Sequence, residues 1–154
     1  MAHIHDKVDF TVEVFIVHKN KVLLRLHDKY KIWLSVGGHI ELHEDPTEAA
    51  IREVKEEVGL DVKLLEDAHL FPPVVKNGRA LSPPRFINRH NISPAHEHVV
   101  FIYFASTEST DVVEPENEQS GGCTWATKED LENMDLLPEI KFYAARALDE
   151  LSSL

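Results

Sequence analysis

The sequence has little that would suit a secreted or membrane-bound protein. Its single cysteine, Cys123, excludes an intramolecular disulfide and fits a reducing compartment. The longest apolar run, residues 99–105, is far too short to span a bilayer. The first ten residues, MAHIHDKVDF, have neither the basic nor the apolar region of a signal peptide. We therefore expect a cytoplasmic protein that does not bind membranes.

Basic residues are also scarce, with 16 Lys and Arg against 27 Asp and Glu and a formal charge of −11. Proteins that bind long nucleic acid need a basic surface for the phosphate backbone, so we exclude that class. A small phosphorylated ligand is still compatible, because cations bound in an acidic pocket reverse the local potential. The 154 residues show no low-complexity tract or repeat period. This length predicts a single domain over residues 1–154.

Strand and helix patterns alternate along the chain. Two apolar runs flank His18-Lys19-Asn20 and predict an antiparallel hairpin. A short apolar strand over residues 33–36 is expected to stop at Gly37-Gly38. Further strands are expected near residues 61–65, 85–90, 99–105 and 123–126, and amphipathic helices over residues 46–58 and 139–151. This order predicts an α+β protein, an α/β/α sandwich with a central mixed β-sheet.

The first of these helices has well-defined ends and two different faces. Asp45-Pro46 is typical of an N-cap followed by a first-turn proline, and Gly59 is typical of the C-terminal cap. Ala50, Val54 and Val58 recur every four residues and predict an apolar stripe against a sheet. The polar residues beside this stripe should therefore lie at the rim of a cleft.

Three glutamates share one face of this helix. Glu53, Glu56 and Glu57 are three and four residues apart, and like charges at these spacings destabilise a helix. A divalent cation would relieve the repulsion, and ligands that are all oxygens suit Mg²⁺, or Mn²⁺, better than Zn²⁺. A solvated acidic face is the commoner reason for such a pattern. On these three residues alone, the acidic face is the favoured interpretation.

The flanking residues match one long pattern. Over residues 38–60, GHIELHEDPTEAAIREVKEEVGL, the defined positions are Gly38, Glu44, Arg52, Glu53, Val54, Glu56, Glu57, Gly59 and Leu60. This stretch resembles the Nudix box at every defined position. A chance match over nine positions is far less common than a match to a short glycine motif. One departure is Val36, where many family members have proline before the double glycine.

The resemblance implies a Nudix fold and a metal-dependent pyrophosphohydrolase. The expected substrate is a nucleoside diphosphate linked to another group X, a small nucleotide and not long nucleic acid. By the same resemblance, the metal ligands are Glu53, Glu56, Glu57 and a carbonyl of Gly37 or Gly38. Glu53 is also the leading candidate for the general base, Arg52 orients a glutamate of the box, and Glu44 holds the loop in place. Closely spaced carboxylates titrate jointly, so the sequence does not resolve which glutamate is the base.

Residues outside the box are less certain candidates. The resemblance also implies an acidic ligand shortly before a tryptophan, and Glu118 lies seven residues before Trp125. Glu97, Glu114 and Glu116 compete for this role, and a plain surface charge is an equally good interpretation of each. For the substrate we select three residues: Arg85 and Arg89, which could clamp phosphates, and Glu139, which lies where related proteins read the base.

Ten histidines raise the question of a zinc site. The tightest group is His96 and His98, and the sequence offers no third and fourth ligand at a recognisable spacing. Solvated or capping histidines are therefore the favoured interpretation.

Two other functions share this fold by the same resemblance. One is a nucleotide-binding sensor without turnover, which an intact box disfavours. The other is an isoprenoid-diphosphate isomerase, which would need Cys123 in the pocket. The proline-rich segment 71–94 and exposed strand edges are compatible with a homodimer.

Overall fold

The computed structural model describes residues 4–152, which form a sheet and three α-helices. The strands are β1 Val8–His18, β2 Lys21–Leu26, β3 Trp33–Leu34, β4 Val36–His39, β5 Lys63–Leu64, β6 Phe86–Ser93, β7 His96–Ser106 and β8 Cys123–Ala126. The helices are α1 Pro46–Val58, α2 Lys128–Asn133 and α3 Pro138–Leu151, with 3-10 turns at Ala68–Leu70 and Glu116–Glu118.

All eight strands belong to one mixed sheet. Its main path runs β3-β2-β1-β7-β5, while β4 pairs with β1, β6 with β7 and β8 with β2. The contact between β1 and β7 is parallel, and the other strand pairs are antiparallel. The predicted mixed sheet is therefore confirmed.

The two faces of the sheet carry separate hydrophobic cores, because side chains along a strand alternate between faces. Val12, Val14 and Ile16 of β1 pack with the apolar stripe of α1. Phe15 and Val17 point the other way and pack with α2 and α3. One helix layer on each face gives the predicted α/β/α sandwich.

The double glycine lies within a strand, contrary to the expectation that the strand would stop there. Gly37 and Gly38 belong to β4 and pair with Glu13 and Val12 of β1. A Cβ atom on Gly37 would collide with the backbone carbonyl of Val12. The two backbones approach so closely that only glycine fits at this position, so the residue that suggested a break in fact permits the pairing.

Helix α1 begins and ends as its sequence predicts. The Asp45 carboxylate accepts from the backbone amides of Thr47 and Glu48 at 2.9 and 3.0 Å. The Glu48 side chain accepts in return from the Asp45 amide, completing a capping box. Gly59 ends the helix with φ of 70°, a left-handed conformation that favours glycine. Both ends of the glutamate-bearing helix are therefore fixed.

Within residues 4–152, none of the helices combines the length and the apolar character that crossing a membrane would take.

We expect Asp45→Ala to lower the free energy of unfolding by about 1 kcal/mol, the usual loss for an N-cap. Burial alone would raise the pKa of Asp45, but hydrogen bonds from Thr47, Glu48 and Arg79 lower it to about 2. A lowered native pKa stabilises the fold above the unfolded value near 3.8, so the loss should persist from pH 7 to 5 and shrink as the pH falls toward 2.

Urea unfolding at several pH values measures this difference. Asp61→Ala is the matched control, because Asp61 is an exposed aspartate paired with Lys55 at 3.0 Å. It should change stability by less than about 0.5 kcal/mol. Equal losses in the two variants would contradict a capping role for Asp45.

Candidate active site and metal centre

Arg52 connects the loop before α1 to the acidic face of α1. Its guanidinium donates two hydrogen bonds to Glu44, at 2.9 and 2.5 Å, and one each to Glu53 at 2.9 Å and Glu56 at 3.0 Å. It also donates to the backbone carbonyl of His39 at 3.0 Å. The planar fork of arginine suits such a bidentate contact. Four acceptors from a strand, a loop and a helix are thereby held at fixed positions.

Glu53 is the most deeply buried of the box glutamates, with 4% of its surface exposed. Burial raises the pKa of its carboxyl group, Arg52 opposes this rise, and the charges of Glu56 and Glu118 add to it. Gly38 lies directly against the carboxylate. A Cβ atom at Gly38 would lie 2.6 Å or less from both carboxylate oxygens of Glu53. Glycine at this position therefore leaves the space that the carboxylate fills.

Glu57 lies on the same face of α1 and forms an ion pair with Arg25 of β2. Burial raises its pKa to about 8, with Arg25 opposing the rise and the charges of Glu53 and Glu118 adding to it. The backbone amide of Gly37 also donates to this carboxylate. Because burial disfavours the charged form of this carboxyl group, a nearby cation would stabilise its anion.

Arg25 is a site residue that the sequence interpretation missed. Besides Glu57, it donates to Glu114 at 2.8 Å and to the backbone carbonyl of Glu118 at 2.9 Å. Its signal in the sequence is an arginine inside the apolar strand KVLLRL, where a charge needs a partner. Arg25 thus links residues 114–118, here called the late acidic loop, to α1.

The late acidic loop brings Glu118 to the box glutamates. The charge of Glu118 acts on both Glu53 and Glu57, and Glu118 lines a cavity with Glu57. Of its competitors, Glu114 is held by Arg25 and Ser120, and Glu97 pairs with the exposed Arg89. The placement favours Glu118 over these two as an additional ligand.

The cavity beside the glutamates has a volume of about 450 Å³. Its lining combines acidic side chains, Asp28, Glu57 and Glu118, with basic ones, Arg25, His27 and Lys29. Cations bound at the glutamates, together with the basic side chains of the lining, would neutralise the charge of a diphosphate group. The composition of the lining therefore fits a phosphorylated ligand.

A second cavity of about 520 Å³ adjoins the first and shares His27 and Leu34 with it. Two of the predicted substrate residues, Arg89 and Glu139, line this cavity. Its lining also includes Glu13, a half-buried carboxyl group that accepts from Ser35 at 3.1 Å and has a pKa raised by burial. Sequence reasoning missed Glu13, whose signal is a lone carboxylate in the apolar strand FTVEVFIV.

The structure does not bring Arg85 to either cavity. Its guanidinium pairs with Glu150 of α3 at 2.6 Å and lines a separate surface depression beside residues 65–69. Arg85 lies just before β6 and Arg89 lies within it, so their side chains reach different elements, Glu150 of α3 and Glu97 of β7. Arg85 therefore joins β6 to α3.

Cys123 is half-buried, and its thiol is held within a polar cluster. The thiol contacts Glu114 at 3.5 Å, and burial followed by the Glu114 charge raises its pKa. A raised pKa disfavours the thiolate form. Cys123 is also not among the residues that line the cavity at the glutamates. The geometry gives no support to a catalytic cysteine.

The donor set fits Mg²⁺. Carboxylates of Glu53, Glu56 and Glu57 lie on one helix face, Glu118 lies nearby, and all offer oxygen ligands. The raised pKa values of Glu53 and Glu57 show that these carboxylates are destabilised as anions without further positive charge. A divalent cation would supply that charge.

A family model described as the NUDIX domain matches residues 9–150. The chain belongs to the Nudix family. The prediction from residues 38–60 is thus confirmed for the family and for the fold.

Several known Nudix proteins are similar to this chain. A crystal structure of a NUDIX-family hydrolase from Clostridium perfringens is 42% identical, covers 93% of this chain and 97% of its own, and superimposes with a TM-score of 0.80. An Ap4A hydrolase from C. elegans is 19% identical over 95% of this chain and 99% of its own, with a TM-score of 0.67, and shows the shared fold alone.

A curated relative, the m7GpppN-mRNA hydrolase NUDT17 of Xenopus laevis, is 28% identical over 139 residues. The match covers 79% of this chain and 42% of the relative. The chain thus spans about two fifths of that protein's length.

We expect Gly38→Ala to weaken Mn²⁺ binding about tenfold or more, the usual effect of disturbing groups that position metal ligands. The new methyl group would push the Glu53 carboxylate out of its space, and a side chain can move with little loss of fold stability. Electron paramagnetic resonance of free Mn²⁺ measures the affinity. Gly78→Ala is the control, because its nearest neighbour is a Val75 side-chain atom at 3.2 Å. Equal affinities would contradict the placement of Gly38 against Glu53.

Proposed function

We propose that this protein is a Mg²⁺-dependent pyrophosphohydrolase that cleaves a phosphoanhydride bond in a nucleoside diphosphate linked to X. A nucleoside triphosphate or a nucleotide sugar is an example of this class. One observation carries the proposal: Arg52 and Gly38 hold the buried Glu53 on the same helix face as Glu57, which lines a cavity together with Arg25 and Lys29. Mn²⁺ would serve the same ligands.

The cation, when bound, neutralises the diphosphate and lowers the pKa of the attacking water. Glu53, Glu56, Glu57 and Glu118 would hold it together with a backbone carbonyl of the double glycine. Glu53 is the proposed general base, because its burial and raised pKa bring its proton affinity closer to neutral pH. Arg52 and Glu44 position this base and do not themselves contact substrate.

The two adjoining cavities divide the substrate between them. The cavity at Glu57 would hold the diphosphate, with Arg25 and Lys29 among its lining residues. The second cavity would hold the nucleoside, with Asn88, Arg89 and Glu139 as polar groups and Tyr30 as an aromatic surface for stacking. The relative named as an m7GpppN-mRNA hydrolase acts on a nucleotide derivative, which supports a nucleotide substrate. The formal charge of −11 favours a small nucleotide over long nucleic acid. The single cysteine fits a cytoplasmic setting.

A screen that separates and quantifies the nucleotide products by chromatography tests this function, because the expected products are phosphate monoesters or pyrophosphate and not free phosphate. The panel comprises nucleoside triphosphates, nucleotide sugars, ADP-ribose, dinucleoside polyphosphates and a capped oligonucleotide, each with Mg²⁺ or Mn²⁺. We expect wild type to turn over at least one of them and Glu53→Gln to be slower by roughly 10²- to 10⁴-fold, the usual contribution of a general base.

Glu66→Gln is the control for this screen, because Glu66 is exposed and lies at the depression beside Arg85. It should keep the wild-type rate. If wild type is no faster than Glu53→Gln on any compound, the hydrolase proposal fails. Calorimetric binding of a nucleotide by such an inactive wild type would then favour the sensor function.

A further inference from the structure

A second group of metal-binding side chains lies on the sheet face opposite α1. The register pairs Asp9 of β1 with His98 of β7, and Thr11 of β1 with His39 of β4. The ligand atoms of Asp9, His39 and His98 all lie within 4.8 Å of one another. Val12 and Val14, which alternate with these β1 positions, face α1. The sheet therefore separates this cluster from the glutamates of α1.

The distances within the cluster are those of ligands around one small ion. The Asp9 Oδ2 atom lies 3.1 Å from the His39 Nε2 atom and 3.3 Å from the His96 Nε2 atom. A tetrahedral ion with bonds of about 2.0–2.2 Å separates its ligand atoms by roughly 3.3–3.6 Å. Asp9, His39 and His98 can thus converge on one centre with small adjustments, and His96 would join them through its contact with the same Asp9 oxygen.

The hydrogen bonds around the cluster orient two of its members. The backbone amide of His5 donates to the Asp9 Oδ1 atom at 2.8 Å, which leaves Oδ2 directed at the histidines. The His96 Nδ1 atom lies 3.3 Å from the carbonyl oxygen of Asp6. A carbonyl oxygen only accepts, so Nδ1 is the donor and Nε2 is the ring atom that faces Asp9. The hydrogen bonds of Oδ1 and Nδ1 thus orient the Asp9 and His96 side chains toward each other.

Burial distinguishes this cluster from a set of surface histidines. Asp9 is 1% exposed, His96 7% and His39 8%. A carboxylate so far from water requires compensating positive charge. Imidazole nitrogens with one carboxylate form a ligand set typical of Zn²⁺ and related transition metals, in contrast to the all-oxygen set on α1.

We propose that Asp9, His39, His96 and His98 bind a transition-metal ion of the Zn²⁺ class, at a site separate from the Mg²⁺ site. The ion would join the starts of β1 and β7 to the end of β4. His39 also accepts through its backbone carbonyl from Arg52. The second site would therefore fix the end of the strand from which the active-site loop departs, and its role is structural.

The sequence alone could not show this site. The spacing of His96 and His98 favours solvated or capping histidines, because no further ligands lie at a recognisable distance along the chain. The other ligands, Asp9 and His39, come from distant strands that the sheet register brings together.

Titration with Co²⁺ tests the proposal by a readout that does not involve hydrolysis. Tag-free full-length protein is first freed of metal with a chelator and then titrated while its visible absorption is recorded. Four-coordinate Co²⁺ with nitrogen ligands absorbs strongly, whereas six-coordinate Co²⁺ on carboxylates absorbs weakly. We expect one equivalent of strongly absorbing Co²⁺, displaced by Zn²⁺ and unaffected by excess Mg²⁺.

Three variants assign the absorption to this cluster. His98→Gln should lose it, while His43→Gln, which changes a histidine with 78% side-chain exposure, should keep it. Glu53→Gln should also keep it, since Glu53 faces the other side of the sheet. Wild type without the strong band, or with a band that Mg²⁺ removes, would overturn the proposal whether or not the variants fold. A band retained in folded His98→Gln would overturn it as well, and the histidines would then only form ion pairs with Asp9.

Discussion

The bidentate contact between Arg52 and Glu44 is the interaction on which the rest of the site depends. It joins the loop after β4 to the middle of α1, and the same guanidinium supports Glu53 and Glu56. Such a network leaves one fixed positive charge among several carboxylates. The positions of these carboxylates are therefore set before any ion or substrate binds, which lowers the reorganisation that binding requires.

Close packing around the glycines completes this arrangement. Gly37 lets β4 lie against the carbonyl of Val12, and Gly38 leaves room for the Glu53 carboxylate. The apolar stripe of α1 packs against the same sheet face. The helix, the strand and the carboxylates thus meet where α1 packs on the sheet, and burial there raises the pKa values of Glu53 and Glu57. Burial and mutual repulsion disfavour the anionic forms of these two glutamates, and a divalent cation would stabilise them.

Much of this could be predicted from sequence, because the information is local. The caps at Asp45 and Gly59, the apolar stripe and the glutamate face all depend on residues within a few turns of one another. The path of β4 through Gly37-Gly38 could not be predicted, since it depends on how closely β1 approaches. The contacts of Arg25 and Arg85 likewise depend on residues that are distant in the sequence. Arg25 reaches the glutamates from a distant strand, and Arg85 pairs with Glu150 of α3. The spacing of residues in the sequence predicts neither contact.

We propose that the helix face with Glu53 and Glu57 is a divalent-cation site. Anomalous diffraction at the manganese edge, from crystals soaked in Mn²⁺, tests it most directly. The account predicts an anomalous peak within coordination distance of the Glu53 and Glu57 carboxylates, with Glu118 as a neighbouring ligand. Ordered Mn²⁺ found only on other surface carboxylates, with Glu57 still paired to Arg25, would contradict it.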